Sequence, residues 1–180
     1  MIFYKHRANN LDDPLKYKAL EIDIKWDTYY QDIVLGHDCS DLKCCFIDYL
    51  DKCNEETELA INIKQSGLVN ALNYECYKFK LNKLKSYFFF DMSIPDLLEY
   101  IKICPEHTAF RMSEYELRFY NECKWIWLDF FNDEFDMCMY NTIIKSDKNI
   151  VITSSELHNN KNDLNLSDIV KCYGICTDII

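Results

Sequence analysis

Between Trp125 and Thr142 the chain reads WIWLDFFNDEFDMCMYNT, where Asp129, Asp133, Glu134 and Asp136 interleave with large aromatic side chains and no base intervenes. Clustered carboxylates could divide acid and base roles in a hydrolase. They could also ring an aromatic contact patch: aromatics are enriched at interface hot spots, and acids around them steer a basic partner. Asp129, Asp133, Glu134, Phe135 and Asp136 are therefore the candidate partner-binding residues. A structural reading competes with this one. Trp125, Ile126, Trp127, Leu128 and Phe130 suit a central strand buried on both faces, with Asp133 and Glu134 in the solvated turn after it.

The other reactive residue types form no comparable group. His6 lies near the terminus, His107 follows Pro105-Glu106, and His158 falls in a polar stretch, so all three read as solvent-exposed. His37 is two positions from Cys39, which does not make a nucleophile–base pair. Ten cysteines lack the doubled short spacing of a zinc site. Cys45 and Cys53 fit the apolar face of one helix, and Cys172 and Cys176 that of another. Gly36, Gly67 and Gly174 are too far apart to build a phosphate loop. The expectation is a protein with no catalytic residue, no metal and no cofactor.

Composition narrows the function classes further. The 180 residues are 49% hydrophobic and 28% charged, as in an ordinary globular domain. The N-terminus shows no signal-peptide core, so the cysteines read as free thiols of a reducing cytoplasm, microbial or that of a virus-infected host cell. No apolar run reaches the ~20 residues of a membrane span. A net charge of −10 disfavours nucleic acid and anionic membranes and favours a basic protein partner. Only Arg7, Arg111 and Arg118 among the 20 bases are arginine, the preferred reader of phosphates.

Periodicity supplies the elements that would carry these residues. Leu20, Ile22 and Ile24 alternate with charged residues as in a half-buried strand, and Leu59, Ile61 and Ile63 do the same. Ser40 is placed to cap a helix presenting Leu42, Cys45, Phe46, Tyr49, Leu50 and Cys53 on one face. Tyr77, Phe79 and Leu81 suggest another strand, Tyr87 to Met92 a covered one, and Ser93-Ile94-Pro95-Asp96 the start of a helix. Phe110 and Met112, then Tyr115, Leu117 and Phe119, alternate again, and Tyr120-Asn121-Glu122 reads as a hairpin turn. Residues 154–163 suggest an exposed loop. Leu166, Ile169, Val170 and Tyr173 suggest a last helix ending near Gly174.

The order points to a single α+β domain over residues 1–180, a mostly antiparallel sheet with two to four packed helices. Small, acidic and poor in motifs, the chain is similar in composition, though not residue by residue, to bacterial toxin-immunity proteins. The expected function is a non-catalytic, protein-binding inhibitor of that kind, neutralising a basic partner such as a toxin. The alternatives are a viral host-interaction (immune-modulating) protein and a carboxylate-based hydrolase.

Overall fold

Eight short strands point the same way around a ring. The computed structural model describes residues 1–38, 41, 44–116, 118–131, 137–158 and 171–180. The ring strands are β1 (Ile2–Lys5), β2 (Ala19–Asp27), β4 (Glu58–Ile63), β5 (Ser86–Phe90), β6 (Ala109–Met112), β7 (Trp125–Leu128), β8 (Asn149–Thr153) and β9 (Gly174–Thr177). Their neighbour order is β5-β4-β2-β1-β9-β8-β7-β6, every pairing along it parallel. A parallel bridge between Phe89 and Thr108 returns from β5 to the foot of β6 and closes the circle. One further strand, β3 (Asp32–Leu35), pairs antiparallel with β2 and extends it beyond the ring.

The helices between strands are short: α1 (Phe46–Leu50), α2 (Leu68–Leu72), α3 (Glu75–Leu81), α4 (Ile94–Ile103) and α5 (Met137–Ile143). They pack on the outside. Because successive side chains on a strand face opposite ways, Leu20, Ile22, Ile24, Leu59, Ile61 and Ile63 turn outward. There they join Phe46, Tyr49, Leu68 and Tyr100 of the helices. On the other half of the ring Phe110, Ile126, Leu128, Ile150 and Ile152 meet Leu97, Tyr140 and Ile143.

The bore is filled by contrast of size. Phe88 and Phe90 of β5 stack on Trp125 and Trp127 of β7, with ring centroids 4.3 and 3.8 Å apart. The small Ala19, Ala60, Ala109 and Cys176 pack in the same cluster, Ala60 beside Phe88 and Ala109 beside Trp125 on the neighbouring strands. Gly174 is glycine for the same reason, since a Cβ there would lie 2.8 Å from the Tyr4 ring. At the N-terminal end Glu58 accepts hydrogen bonds from Lys85, Tyr173, Ser86 and Tyr4. The bore is thus a packed core, as in (β/α)8 barrels.

This architecture corrects the expected antiparallel α+β sheet. Polar residues alternating along β2 and β4 face the bore, not water: Glu21 and Asp23 are 2% and 1% exposed. Tyr77 and Leu81 lie one helical turn apart on α3, buried, while Phe79 between them is exposed, so that segment is a helix and not a strand. Tyr120-Asn121-Glu122 joins strands that pair in parallel, so it is no hairpin turn. Tyr115 and Phe119 belong to no strand, and Leu117 lies outside the described residues. Gly174 opens β9 instead of ending a helix, which also takes Cys176 off a helical face. Residues 166–170 and Ser40 with Leu42 lie outside the described residues. Of the expected loop at 154–163, Ser155–His158 form a single 3-10 turn and the rest lies outside the described residues. No described helix is long and apolar enough to cross a membrane.

Candidate active site at the barrel mouth

The C-terminal ends of the strands converge on one cavity of about 240 Å³. This is the face where barrels of this type place their chemistry, because loops from all eight strands meet there. Strand β1 delivers His6 and Arg7, β2 Glu21, β4 Asn62 and Lys64, β5 Asp91, β6 Arg111, and β7 Asp129; Leu157 and His158 follow β8.

Glu21 anchors the floor. Arg7 adopts a left-handed backbone (φ 48°), uncommon for a non-glycine residue. That turn lets its amide donate to Glu21 Oε2 at 2.8 Å. Burial pushes the Glu21 carboxyl up, to about 8, and the neighbouring Asp23 charge pushes the same way. The Arg7 amide, Lys64 and Asn62 oppose the rise. Asp23 accepts from Asn9 Nδ2 at 2.9 Å and lies 3.3 Å from Lys64 Nζ.

Asp91, just past β5, also has a left-handed backbone (φ 65°). Its carboxylate lies 3.7 Å from Lys64 Nζ and bonds to the Arg111 guanidinium, which also bonds Glu116. Burial raises its pKa, and Arg111 and Lys64 hold the rise back.

Two histidines complete the mouth. Nδ1 of His6 lies 3.2 Å from Asp178 Oδ1, and burial lowers the His6 pKa despite that partner. Nε2 of His158 lies 3.0 Å from Asp129 Oδ1, and that hydrogen bond raises the His158 pKa against the effect of burial. The Phe131 ring stands 4.7 Å from His158.

A divalent cation would find hard oxygen donors here. Glu21 and Asp23 supply carboxylates, and Asn62 Oδ1 is buried without a hydrogen-bond partner. Asn62 donates from Nδ2 to Glu21 Oε1 at 3.4 Å and is the register partner of Asp23, so its unpartnered oxygen and the two carboxylates of the neighbouring strand fit Mg2+ or Ca2+, with Lys64 as the resident positive charge. No group of three or more His, Cys, Asp or Glu poised for a metal occurs among the described residues, so the amide oxygen is needed to complete the set.

Of the residues singled out by sequence, the structure brings Asp129 into the cavity, buried against His158. Asp133, Glu134, Phe135 and Asp136 lie outside the described residues. His6 and His158 are corrected from exposed side chains to cavity-lining ones. His107 stacks on Tyr87 outside the bore with centroids 3.9 Å apart, and His37 pairs with Asp38. No disulfide joins two of the described cysteines. Sequence reasoning missed Glu21, Asp23, Asn62 and Lys64. Their signal was an acid, amide or ammonium at alternate positions of two otherwise apolar strands.

No known protein-family model and no curated protein sequence matches the chain. Its shape is shared with solved structures. A glycerophosphodiester phosphodiesterase from Parabacteroides distasonis matches with a TM-score of 0.67 at 12% identity, over 98% of this chain and 92% of that one. A putative glycerophosphodiester phosphodiesterase from Galdieria sulphuraria matches with a TM-score of 0.71 at 9% identity, over 98% and 93%. The glycerophosphodiester phosphodiesterase of Thermotoga maritima matches with a TM-score of 0.67 at 11% identity, over 99% and 94%. The chain therefore has the barrel fold of these enzymes. The expected non-catalytic inhibitor of the immunity type is overturned by that fold and by the polar cavity at its mouth.

Proposed function

We propose that this chain is a hydrolase of phosphodiesters, acting on the glycerophosphodiester class. One observation carries the reading. A histidine with a lowered pKa, three cations and the buried Glu21 carboxyl converge on the C-terminal mouth of a barrel whose solved likenesses include glycerophosphodiester phosphodiesterases.

A phosphodiester carries one negative charge and gains more as water adds to phosphorus. Arg7, Lys64 and Arg111 are the groups that meet that charge, and fixed cations in a partly dry site stabilise a transition state more than they would in water. Lys64 and Arg111 rest on Asp91 until an anion arrives, so the substrate competes with an internal carboxylate of the same charge. His6, neutral near pH 7 because burial lowers its pKa, takes a proton from the attacking water; Asp178 fixes the ring through Nδ1 and leaves Nε2 for that proton. Glu21, Asp23 and Asn62 would hold a divalent cation, and such an ion supplies Lewis-acid polarisation of a phosphoryl oxygen.

The test is release of glycerol phosphate from glycerophosphoethanolamine, read by a coupled dehydrogenase assay with and without Mg2+ or Ca2+. Turnover that disappears in His6→Gln supports the reading; no turnover by the wild-type chain under either condition rejects it.

A further inference from the structure

The strand ends around the cavity carry apolar side chains in water. Trp26 stands near the end of β2, and Tyr29 and Tyr30, on the turn after it, are 87% and 52% exposed. Tyr115 follows β6, Phe131 follows β7 and Ile179 follows β9, all exposed as well. Because the ring strands are parallel, these positions share the C-terminal end and surround the mouth.

The turn after β2 is built to project. Strand β2 makes its last pairing with β4 at Ile24–Ile63, and its ribbon with β3 runs on to Asp27–Asp32. Three further residues carry the turn about 10 Å past the end of that ladder. Asp27 Oδ1 accepts from the amides of Tyr29 at 2.8 Å and Tyr30 at 3.1 Å. The Tyr77 hydroxyl on α3 donates to Asp32 at the start of β3. The turn is thus braced from within, while its two tyrosine rings, edge to face with centroids 5.2 Å apart, face solvent.

We infer that this rim seats the mouth on a zwitterionic phospholipid surface, so that the diester entering the cavity is a lipid headgroup. The substrate half of the inference rests on the phosphodiesterase reading; the docking half does not. Tryptophan and tyrosine rings favour the boundary between headgroups and acyl chains, where an apolar body meets a wet tip. A protein seated on the same rim would shut the cavity, whereas a lipid surface delivers substrate to it. The net charge of −10 selects among lipids, because it repels an anionic bilayer and not a choline or ethanolamine surface. Arg7, Lys64 and Arg111 meet the phosphate of such a headgroup, and the exposed Asp178 beside His6 offers its ammonium a counter-charge. On a lysophospholipid the water oxygen bonds to phosphorus and the bond from phosphorus to the amino-alcohol oxygen breaks. That oxygen keeps the electron pair and gains a proton in place of the one the water loses. A monoacylglycerol phosphate and a free amino alcohol result.

Trp125 and Trp127 are buried, so Trp26 is the tryptophan that reports on docking. Vesicles of phosphatidylcholine brominated in its acyl chains should quench Trp26 fluorescence; brominated phosphatidylglycerol should quench it more weakly. Tyr29→Ser combined with Tyr30→Ser should weaken vesicle binding about tenfold or more. The wild-type chain should hydrolyse lysophosphatidylcholine in vesicles with a higher kcat/KM than glycerophosphocholine in solution. The double variant should lose that surplus and keep its rate on the soluble diester. No quenching by phosphatidylcholine, stronger quenching by phosphatidylglycerol, or equal kcat/KM on the two diesters would overturn the inference, while turnover of glycerophosphocholine keeps the hydrolase reading. Hydrolysis of neither diester would overturn the hydrolase reading and the substrate half of the inference with it, even where vesicles quench Trp26.

Discussion

Glu58→Gln tests whether the strands close on one another at the end of the barrel away from the mouth. The Glu58 side chain is 3% exposed, and accepts from Lys85 Nζ at 2.7 Å, Tyr173 Oη at 2.7 Å, Ser86 Oγ at 2.9 Å and Tyr4 Oη at 3.4 Å. Tyr4 lies on β1, Ser86 on β5 and Tyr173 just before β9, so one carboxylate on β4 ties four strands across the bore. Glutamine keeps the volume and an acceptor oxygen but loses the charge that strengthens the hydroxyl bonds, and its NH2 meets the Lys85 ammonium, which cannot accept from it. Lys85 is 57% exposed and returns to water, so its loss counts for little. The hydroxyls of Tyr4 and Tyr173 are less free to do so, and a hydrogen bond to a charged group contributes about 1.5–3 kcal/mol. With the long Tyr4 contact near the low end, the loss comes to about 2–4 kcal/mol. For a chain of this size each kcal/mol moves Tm by about 2–4 °C, which predicts a fall of about 5–15 °C.

The pH dependence sharpens the test. Burial works against ionisation of Glu58, but the hydrogen bonds from Lys85, Tyr173 and Ser86 outweigh it and its pKa is lowered. A group lowered on folding contributes stability above its unfolded pKa of about 4.3, and loses it as pH falls through the folded value. Melting curves followed by circular dichroism should therefore show the gap between wild type and variant at neutral pH and its closure below about pH 4. An unchanged Tm at pH 7, or a gap that persists in acid, would refute the tie across the bore.

Gly174→Ala should cost about 1–3 kcal/mol by overpacking, because the new Cβ meets the Tyr4 ring at 2.8 Å and the Ile2 carbonyl at 3.0 Å; denaturant unfolding measures it. Asp178→Asn removes a charge that raises the His6 pKa, so the acidic limb of the kcat/KM profile should move to lower pH. Saturating Mg2+ or Ca2+ should raise the wild-type Tm, by the equivalent of about 2.7 kcal/mol at a hundredfold excess over Kd. Asn62→Leu should remove most of that shift in a thermal melt.

Parts of this structure are legible in the sequence. The apolar run Trp125–Leu128 is a strand covered on both faces, Tyr87 to Met92 overlaps β5 over Tyr87–Phe90, and Ser93-Ile94-Pro95-Asp96 begins α4. The direction of the strands was not legible, because parallel pairing rests on the connections, and helices of five to seven residues leave little periodic signal. In Tyr77, Phe79 and Leu81 the period-two pattern competed with the four-residue spacing of Tyr77 and Leu81, and the helix won through packing against Phe46. The site was hidden by a similar ambiguity. Charged residues alternating with Leu20, Ile22 and Ile24 look like the wet face of a sheet, yet Glu21 and Asp23 face the top of a barrel bore. Alternation reveals two faces without saying which solvent each meets. His6 and His158, 152 positions apart in the chain, become neighbours of one cavity only once the ring closes.

Phosphorus NMR of a glycerophosphodiester incubated with the chain in 18O-enriched water is the most direct measurement of the central claim. Hydrolysis at the barrel mouth predicts that the diester resonance gives way to a phosphomonoester carrying one heavy oxygen, and that His6→Gln halts the conversion. A diester left intact by the folded wild-type chain, with or without divalent cation, or a monoester with no label, would contradict it.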